Sequence, residues 1–273
     1  RIIMGLFYNN NEAGSGVAKR GKQKKPFFRF WEMFANKFWT FFKINLIYVL
    51  FCLPIVTFGP ATAAMTALMR NIYLERPQFV FHDFWQAFKK NFKQSFVIGL
   101  MDIWFIVMAV FSFFFFTSNM NDTDKPYWLY YAMVMAVEII ILLMNFYIFP
   151  QIVALNLRLP QILKNSFILA FLNIKGNLIT LAAFLVYIAL LGMFFFPLVF
   201  LIPLLPIAWL SFLAMFTSYP AIQKFIINPF YEQQGLKNPE LPDYDEEVLF
   251  EDRGGEEAPM KIKKQDRGGK VIK

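Results

Sequence analysis

Two carboxylates lie in positions where a charge is costly. Asp102 falls about two turns inside an apolar stretch that opens near Ser95, and Glu138 falls near the middle of another, 127–149. An ionisable group so placed must be paired, hydrogen-bonded or kept neutral. It is therefore a candidate for carrying a proton, binding a solute or gripping a partner. Asn145 follows Glu138 by seven residues, which puts it near the same face of a helix. Lys43 and Arg70, at the ends of the first two apolar segments, are the available counter-charges. A structural reading, in which these residues tie helices together, stands beside the functional one. Asn45 and Asn156 are weaker members of the same set.

Other chemistry is poorly supplied. The chain has one histidine, His82, and one cysteine, Cys52, so metal clusters, disulfides and His- or Cys-based nucleophile schemes have few parts to draw on. There is no HExxH, no Walker A loop, no nucleophile elbow with a plausible triad and no dinucleotide-type glycine loop. The expectation is a protein that is not an enzyme, with no cofactor and no metal. His82 reads as an ordinary polar residue in the first turn of a helix.

The elements that would position the acids are membrane helices. Hydrophobic residues make up 58% of the chain and 36 residues are Phe, against about 45–50% apolar in soluble domains. Apolar runs at 38–58, 95–117, 127–149, 178–201 and 204–227 are each long enough for a hydrocarbon core of about 30 Å. The piece 61–75 is shorter. The formal charge of +8 does not mark a nucleic-acid binder, because the basic residues flank apolar spans and form no single basic face. Lys and Arg number nine in 1–43, five in 70–93, one in 118–127, three in 150–177 and nine in 224–273. If 61–75 returns across the membrane, every basic segment is cytoplasmic and only Lys125 lies outside. The expectation is therefore an all-α, polytopic protein of the bacterial plasma membrane, with about six membrane-embedded helices and both termini in the cytoplasm. Ala61, Ala63, Ala64 and Ala67 would let the short second helix pack closely.

Three regions follow: a basic N-terminal segment (1–37), a membrane domain (38–228) and a charged, largely disordered tail (229–273). Residues 27–42 carry aromatics at helical spacing and read as an interfacial helix feeding the first span. The first two helices are expected to form a hairpin that meets Pro54 and turns at Gly59-Pro60; it mimics a secretory signal, but its basic lead is too long and Pro60 precedes Ala61, so cleavage is not expected. In 79–93, Phe81, Phe84, Trp85, Phe88 and Phe92 recur at spacings of three and four, with Lys89, Lys90 and Lys93 mostly off that stripe. This reads as an amphipathic helix lying on the inner leaflet, its lysines on anionic lipid headgroups, or as a docking element for a cytoplasmic partner. A faint echo relates the Asn91 and Asn173 neighbourhoods and the Pro60 and Pro150 neighbourhoods, as duplicated hairpins would. Pro54, Pro150, Pro197, Pro203, Pro206 and Pro220 lie in or beside spans and give a modest hint of broken helices around a cavity.

Three pieces of the chain resemble the YesL family of bacterial membrane proteins. They are the opening Met4-Gly5-Leu6-Phe7-Tyr8 with Lys24-Lys25-Pro26-Phe27-Phe28, the hairpin with Leu53-Pro54-Ile55-Val56-Thr57 and Gly59-Pro60-Ala61-Thr62-Ala63-Ala64, and the run from Asp83 to Gln94. The signature hairpin, with Pro54, Gly59 and Pro60, is the most specific of the three. The resemblance implies Gram-positive origin, Met4 as the natural start, and a gene neighbourhood that often holds carbohydrate ABC importers. It carries no catalytic residues. The leading expectation is a non-catalytic accessory subunit of an oligosaccharide importer, with membrane lipid and the permease as partners. A stand-alone channel or secondary transporter using Asp102 and Glu138, and a sensor of sugar utilisation acting through the tail, are the alternatives.

Overall fold

The computed structural model describes residues 25–119, 127–193, 206–236 and 238–240, and these are helical, with no strand. The N-terminal lead-in, the segment around Lys125, Pro197, Pro203 and the tail beyond Glu240 lie outside the described residues. The chain forms two units, Arg1–Asn36 and Lys37–Lys273. In the first, helix α1 (Pro26–Asn36) carries an aromatic ladder in which Trp31 meets Phe27, Phe30 and Phe34 edge to face. The helix expected over 27–42 is thus two helices, broken at Lys37, whose backbone leaves helical geometry.

The second unit contains α2 (Phe38–Cys52), α3 (Phe58–Tyr73), α4 (Val80–Ser118), α5 (Tyr127–Ala154), α6 (Leu159–Leu172), α7 (Ile174–Met193), α8 (Pro206–Ile222) and α9 (Asn228–Gln233). A single 3₁₀ turn, Ile55–Thr57, separates α2 from α3, and a π turn, Gln223–Ile227, joins α8 to α9. Among the described residues, four helices are long and apolar enough to cross a membrane: α4, α5, α7 and the continuous run Pro206–Gln233. Helices α2 and α6 are apolar but shorter.

The first hairpin exists, but its turn is not at Gly59-Pro60. Pro54 ends α2 with an extended ψ of 110°, and Gly59 and Pro60 lie in the first turn of α3. Proline is well tolerated there, because the first N–H groups of a helix have no intrahelical acceptor. Thr57 closes the connection by donating to the Pro54 carbonyl at 2.6 Å.

Helix α3 is the axis of the bundle. It packs on α2, α4, α5 and α8, and only Phe58, Thr62 and Ala67 of its residues are not fully buried. The expected small-residue packing is present: Ala61, Ala63 and Ala64 are fully buried. This accounts for its sequence as well as its position. A helix wrapped by protein never meets lipid, so it tolerates Thr62, Thr66, Arg70 and Asn71, whereas α4, α5 and α7 turn Phe, Ile, Leu and Trp outward.

The segment 79–93 is not a separate surface helix. It is the first part of α4, which runs for 39 residues, about 58 Å, without a break. Its aromatic stripe is divided. Phe84 and Phe88 are buried against Phe51 of α2, with ring centroids 5.1 and 5.3 Å away, so they are not free to meet a partner. Phe81, Trp85, Phe92, Lys89, Lys90 and Lys93 remain exposed. Lys89 Nζ lies 4.5 Å from the centre of the Trp85 ring, a cation–π contact. The corresponding element of the second half is broken: α6 ends and α7 begins at Asn173.

Candidate functional site

The polar groups of the membrane domain form two separate constellations. The first is at mid-bundle. Asp102 is the last buried residue of α4, on the face shared by Asn91, Ser95, Ile98 and Gly99. Asn145 of α5 donates its amide to Asp102 Oδ1 at 2.8 Å. The two residues picked out separately in the sequence thus meet across the α4–α5 interface. Glu138 does not join them. It is half-buried further along α5, and its Oε1 has no hydrogen-bond partner among the described residues. Lys43 is exposed on α2. Neither it nor Arg70 serves as the counter-charge expected for the intramembrane acids, for a positional reason: Asp102 is satisfied by an amide, and Arg70 is engaged elsewhere.

That second constellation lies at the end of the bundle where α3 terminates. Arg70, in the last turn of α3, is 1% exposed. Its Nε donates to the Tyr219 hydroxyl of α8 at 2.6 Å, and its Nη2 donates to Glu240 Oε1. Tyr219 in turn donates to Glu240 Oε2 at 2.7 Å, and Arg76 Nη2 stands 3.6 Å from Oε1. Gln223 adds a longer contact, 3.4 Å, to Oε2. The Glu240 carboxylate is itself fully buried. Tyr73 packs its ring on Tyr219 at 5.5 Å and walls the cluster from the apolar side. An arginine buried this deeply is tolerable only with a charged partner and well-directed hydrogen bonds; Glu240 and Tyr219 supply both.

Glu240 comes from the segment expected to begin a disordered tail. Chain beyond 228 first forms α9, then returns: Asn238 donates to Asn228 Oδ1 at 2.8 Å, and Asn238 Oδ1 accepts the Glu240 backbone N–H at 3.0 Å. Sequence reasoning missed Glu240, because an acid in a charged, proline-rich stretch carries no local sign of its partner. It also missed Tyr219. Gly99 was missed too, although an isolated glycine in an apolar helix is a signal of close backbone approach. A Cβ on Gly99 would lie 2.5 Å from Gly59 Cα, and one on Gly59 would lie 2.0 Å from the Ser95 carbonyl oxygen. Helices α3 and α4 therefore touch backbone to backbone, which leaves no passage between them at this level.

Smaller polar contacts tie the remaining helices. Tyr147 donates to Asn177 Oδ1 at 2.6 Å, Gln151 to the Ser166 hydroxyl at 2.9 Å, and Asn173 to the Thr217 carbonyl at 2.9 Å. Asn45 accepts the Ala208 N–H at 2.8 Å, serving a donor that the first turn of α8 leaves without an intrahelical acceptor. Asn156 is exposed. Such bonds average about 0.6 kcal/mol in membrane proteins, so each orients a helix more than it stabilises the fold. Two of the cavities among the described residues lie beside them. One of about 30 Å³ lies between α3 and α4 beside Asn71, Asp83, Gln86, Lys90 and Asn91, room for about one water. The other, about 150 Å³ and apolar, lies among α5, α6 and α7.

Long apolar helices turned outward around a small, polar-tied axis define a multi-pass helical membrane protein. The profile of a family described as a protein of unknown function, DUF624, matches residues 41–116, the stretch that holds Pro54, Gly59, Pro60, Arg70, Gly99 and Asp102. No curated protein and no solved structure matches the chain.

Proposed function

We propose that the protein is a non-catalytic integral membrane subunit that assembles with a carbohydrate ABC importer in the bacterial plasma membrane. The observation that carries the reading is the bare apolar length of α4 and α5. Beyond the Asp102–Asn145 pair, Trp104, Val107, Phe111, Phe114, Trp128 and Val137 are all exposed. Lipid can cover such a surface, and so can the membrane helices of a permease. The choice of an importer rests on the resemblance to YesL, which belongs to the DUF624 family, and on the importers that accompany such genes. By the positive-inside rule, the end of the bundle with Arg70, Lys89, Lys90 and Lys93 faces the cytoplasm, with both termini.

The test is extraction from native membranes in mild detergent, followed by mass spectrometry of the co-purifying chains. Stoichiometric permease and ATPase subunits support the reading. An importer that purifies intact and fully active without this chain removes it.

A second reading, a stand-alone channel or secondary transporter, draws on Asp102 and on the unpartnered Glu138 Oε1. It requires solute flux in proteoliposomes that falls in Glu138→Gln, and flux unaltered by that change, or absent altogether, ends it.

A further inference from the structure

Four amides of α4 and α5 are used the same way round. Asn91, Gln94, Asn145 and Gln151 donate to the Ala87 carbonyl, the Leu157 carbonyl, Asp102 Oδ1 and the Ser166 hydroxyl. The side-chain oxygen of each is buried without a partner among the described residues, and so is Glu138 Oε1. A carbonyl cannot donate, so the Asn91 and Gln94 amides cannot be turned over. These two helices are therefore short of donors. Asn91 lies eleven residues before Asp102, which puts both on one face of α4, and Glu138 and Asn145 share a face of α5 in the same way. The shortage is sharpest at Asp102, which is 9% exposed and has one partner, the Asn145 amide. No base answers its charge. Lys93, the nearest along α4, is nine residues away, about 13 Å along the helix. Lys43 of α2 is exposed, and Arg70 of α3 is held by Tyr219 and Glu240. Neither Lys164 of α6 nor Lys175 of α7 bonds to Asp102. Tyr48 and Cys52 of α2 face Thr62 and each other, and Tyr147 of α5 faces Asn177. Glu138 is the other acid of the α5 face.

We propose that Asp102 and Asn145 form a proton-binding site inside the membrane domain: a proton on Asp102 Oδ2 donates to Asn145 Oδ1, and acid and amide close a ring of two hydrogen bonds. The step is a bare proton transfer, in which an O–H bond forms at Oδ2 as one breaks in hydronium. The chemistry selects the ligand. An ionised carboxylate buried with one neutral donor keeps much of its desolvation cost, and the amide oxygen beside it stays unpaired. A protonated carboxyl carries the donor that this oxygen lacks and no charge. A metal cation would answer the charge as well, but neither of the two cavities described above is lined by Asp102, and a proton needs no cavity. The cavity of about 30 Å³ lies beside Asn91, at the other end of the same α4 face, and gives that end room for about one water. The inference deepens the transporter reading and rests on it for the use made of the proton, while binding itself is measured apart from transport.

The experiment records infrared spectra of the full-length protein in lipid nanodiscs near neutral pH. A C=O stretching band of a protonated carboxyl is expected in the wild type and should be lost in Asp102→Asn. Asn145→Leu should shift that band, because the ring of hydrogen bonds is gone, and Glu138→Gln should leave it in place. A spectrum in which Asp102→Asn removes no such band overturns the proposal, as does a band unmoved by Asn145→Leu or one that disappears with Glu138→Gln instead. Asparagine reproduces the donor and the acceptor of the neutral acid, so Asp102→Asn should fold; a variant that does not survive extraction also overturns the proposal. Solute flux in proteoliposomes is read separately. The band without flux upholds the proton site and ends the transporter reading, whereas flux without the band ends the proposal and leaves that reading standing.

Discussion

Replacement of Gly99 by alanine tests the packing on which the bundle depends. The added Cβ would lie 2.5 Å from Gly59 Cα and 2.6 Å from Gly59 N, well inside the separation of about 3.5–4.0 Å at which carbon atoms attract. Both obstacles are backbone, so no side chain can turn away. Relief requires α3 and α4 to move apart by about 1 Å or more, and this is the most extensive helix–helix contact among the described residues. Forced expansion of a packed core costs about 1–3 kcal/mol. The alanine recovers at most about 1 kcal/mol of helix propensity in the middle of α4. The backbone clash places the cost at the upper end of its range, so the net loss expected is about 2 kcal/mol, near thirtyfold in the folding equilibrium. Gly192 of α7 supplies the control, since a Cβ there meets nothing within 4 Å. Gly192→Ala should be neutral or slightly stabilising by the same propensity difference. Reversible unfolding in mixed detergent–SDS micelles, followed by circular dichroism, measures both. If Gly99→Ala proves as stable as Gly192→Ala, the backbone crossing at Gly59 and Gly99 is wrong, and with it the central position of α3.

Four further outcomes are expected. Asp102→Ala leaves the Asn145 amide without its partner and should cost about 1–2 kcal/mol in the same unfolding assay, whereas Asp102→Asn should recover most of that loss; equal losses would show that the Asp102–Asn145 contact does not form. Glu240→Ala removes the buried carboxylate to which Arg70 and Tyr219 both donate and should cost about 3–5 kcal/mol, while Arg76→Ala, at a side chain 33% exposed, should cost about 1 kcal/mol or less; a reversed order would refute the cluster. On a Cys52→Ser background, an impermeant maleimide should label Lys90→Cys only from the cytoplasmic side and Ser118→Cys only from outside, and labelling of both from one side would exclude a membrane-crossing α4. Phe84→Ala and Phe88→Ala should each destabilise by about 3 kcal/mol as core truncations, whereas Phe81→Ala should have little effect, with heat-induced aggregation in detergent as the readout.

Composition and periodicity were enough for the class of the protein. Runs of Phe, Ile and Leu longer than a bilayer core leave only a helical membrane protein, because such a run must satisfy its own backbone within lipid. They also pointed to a hairpin in this region, though with its turn at Gly59-Pro60, to the close packing of Ala61, Ala63 and Ala64, and to Asp102 and Asn145 as residues needing an account. These are local properties, readable from spacing and from the cost of a polar group among apolar neighbours. The break between α2 and α3 was legible only to within a few residues: Pro54 and the Gly59-Pro60 pair both signal a turn, and the choice between them depended on the need for a glycine where α4 crosses.

What the tertiary structure decided was partnership. Glu240 and Arg70 are separated by 170 positions, and nothing near either residue names the other. Whether Phe84 and Phe88 face a partner or Phe51 is invisible in an amphipathic pattern, since burial against another protein and burial within the fold produce the same stripe. The composition of α3 also has its reason only in three dimensions. It is the least lipid-like of the central helices because its neighbours, not the bilayer, are its solvent. From the sequence alone the physical chemistry of each segment could be read, but which segments become one another's solvent depended on the packing of the whole chain.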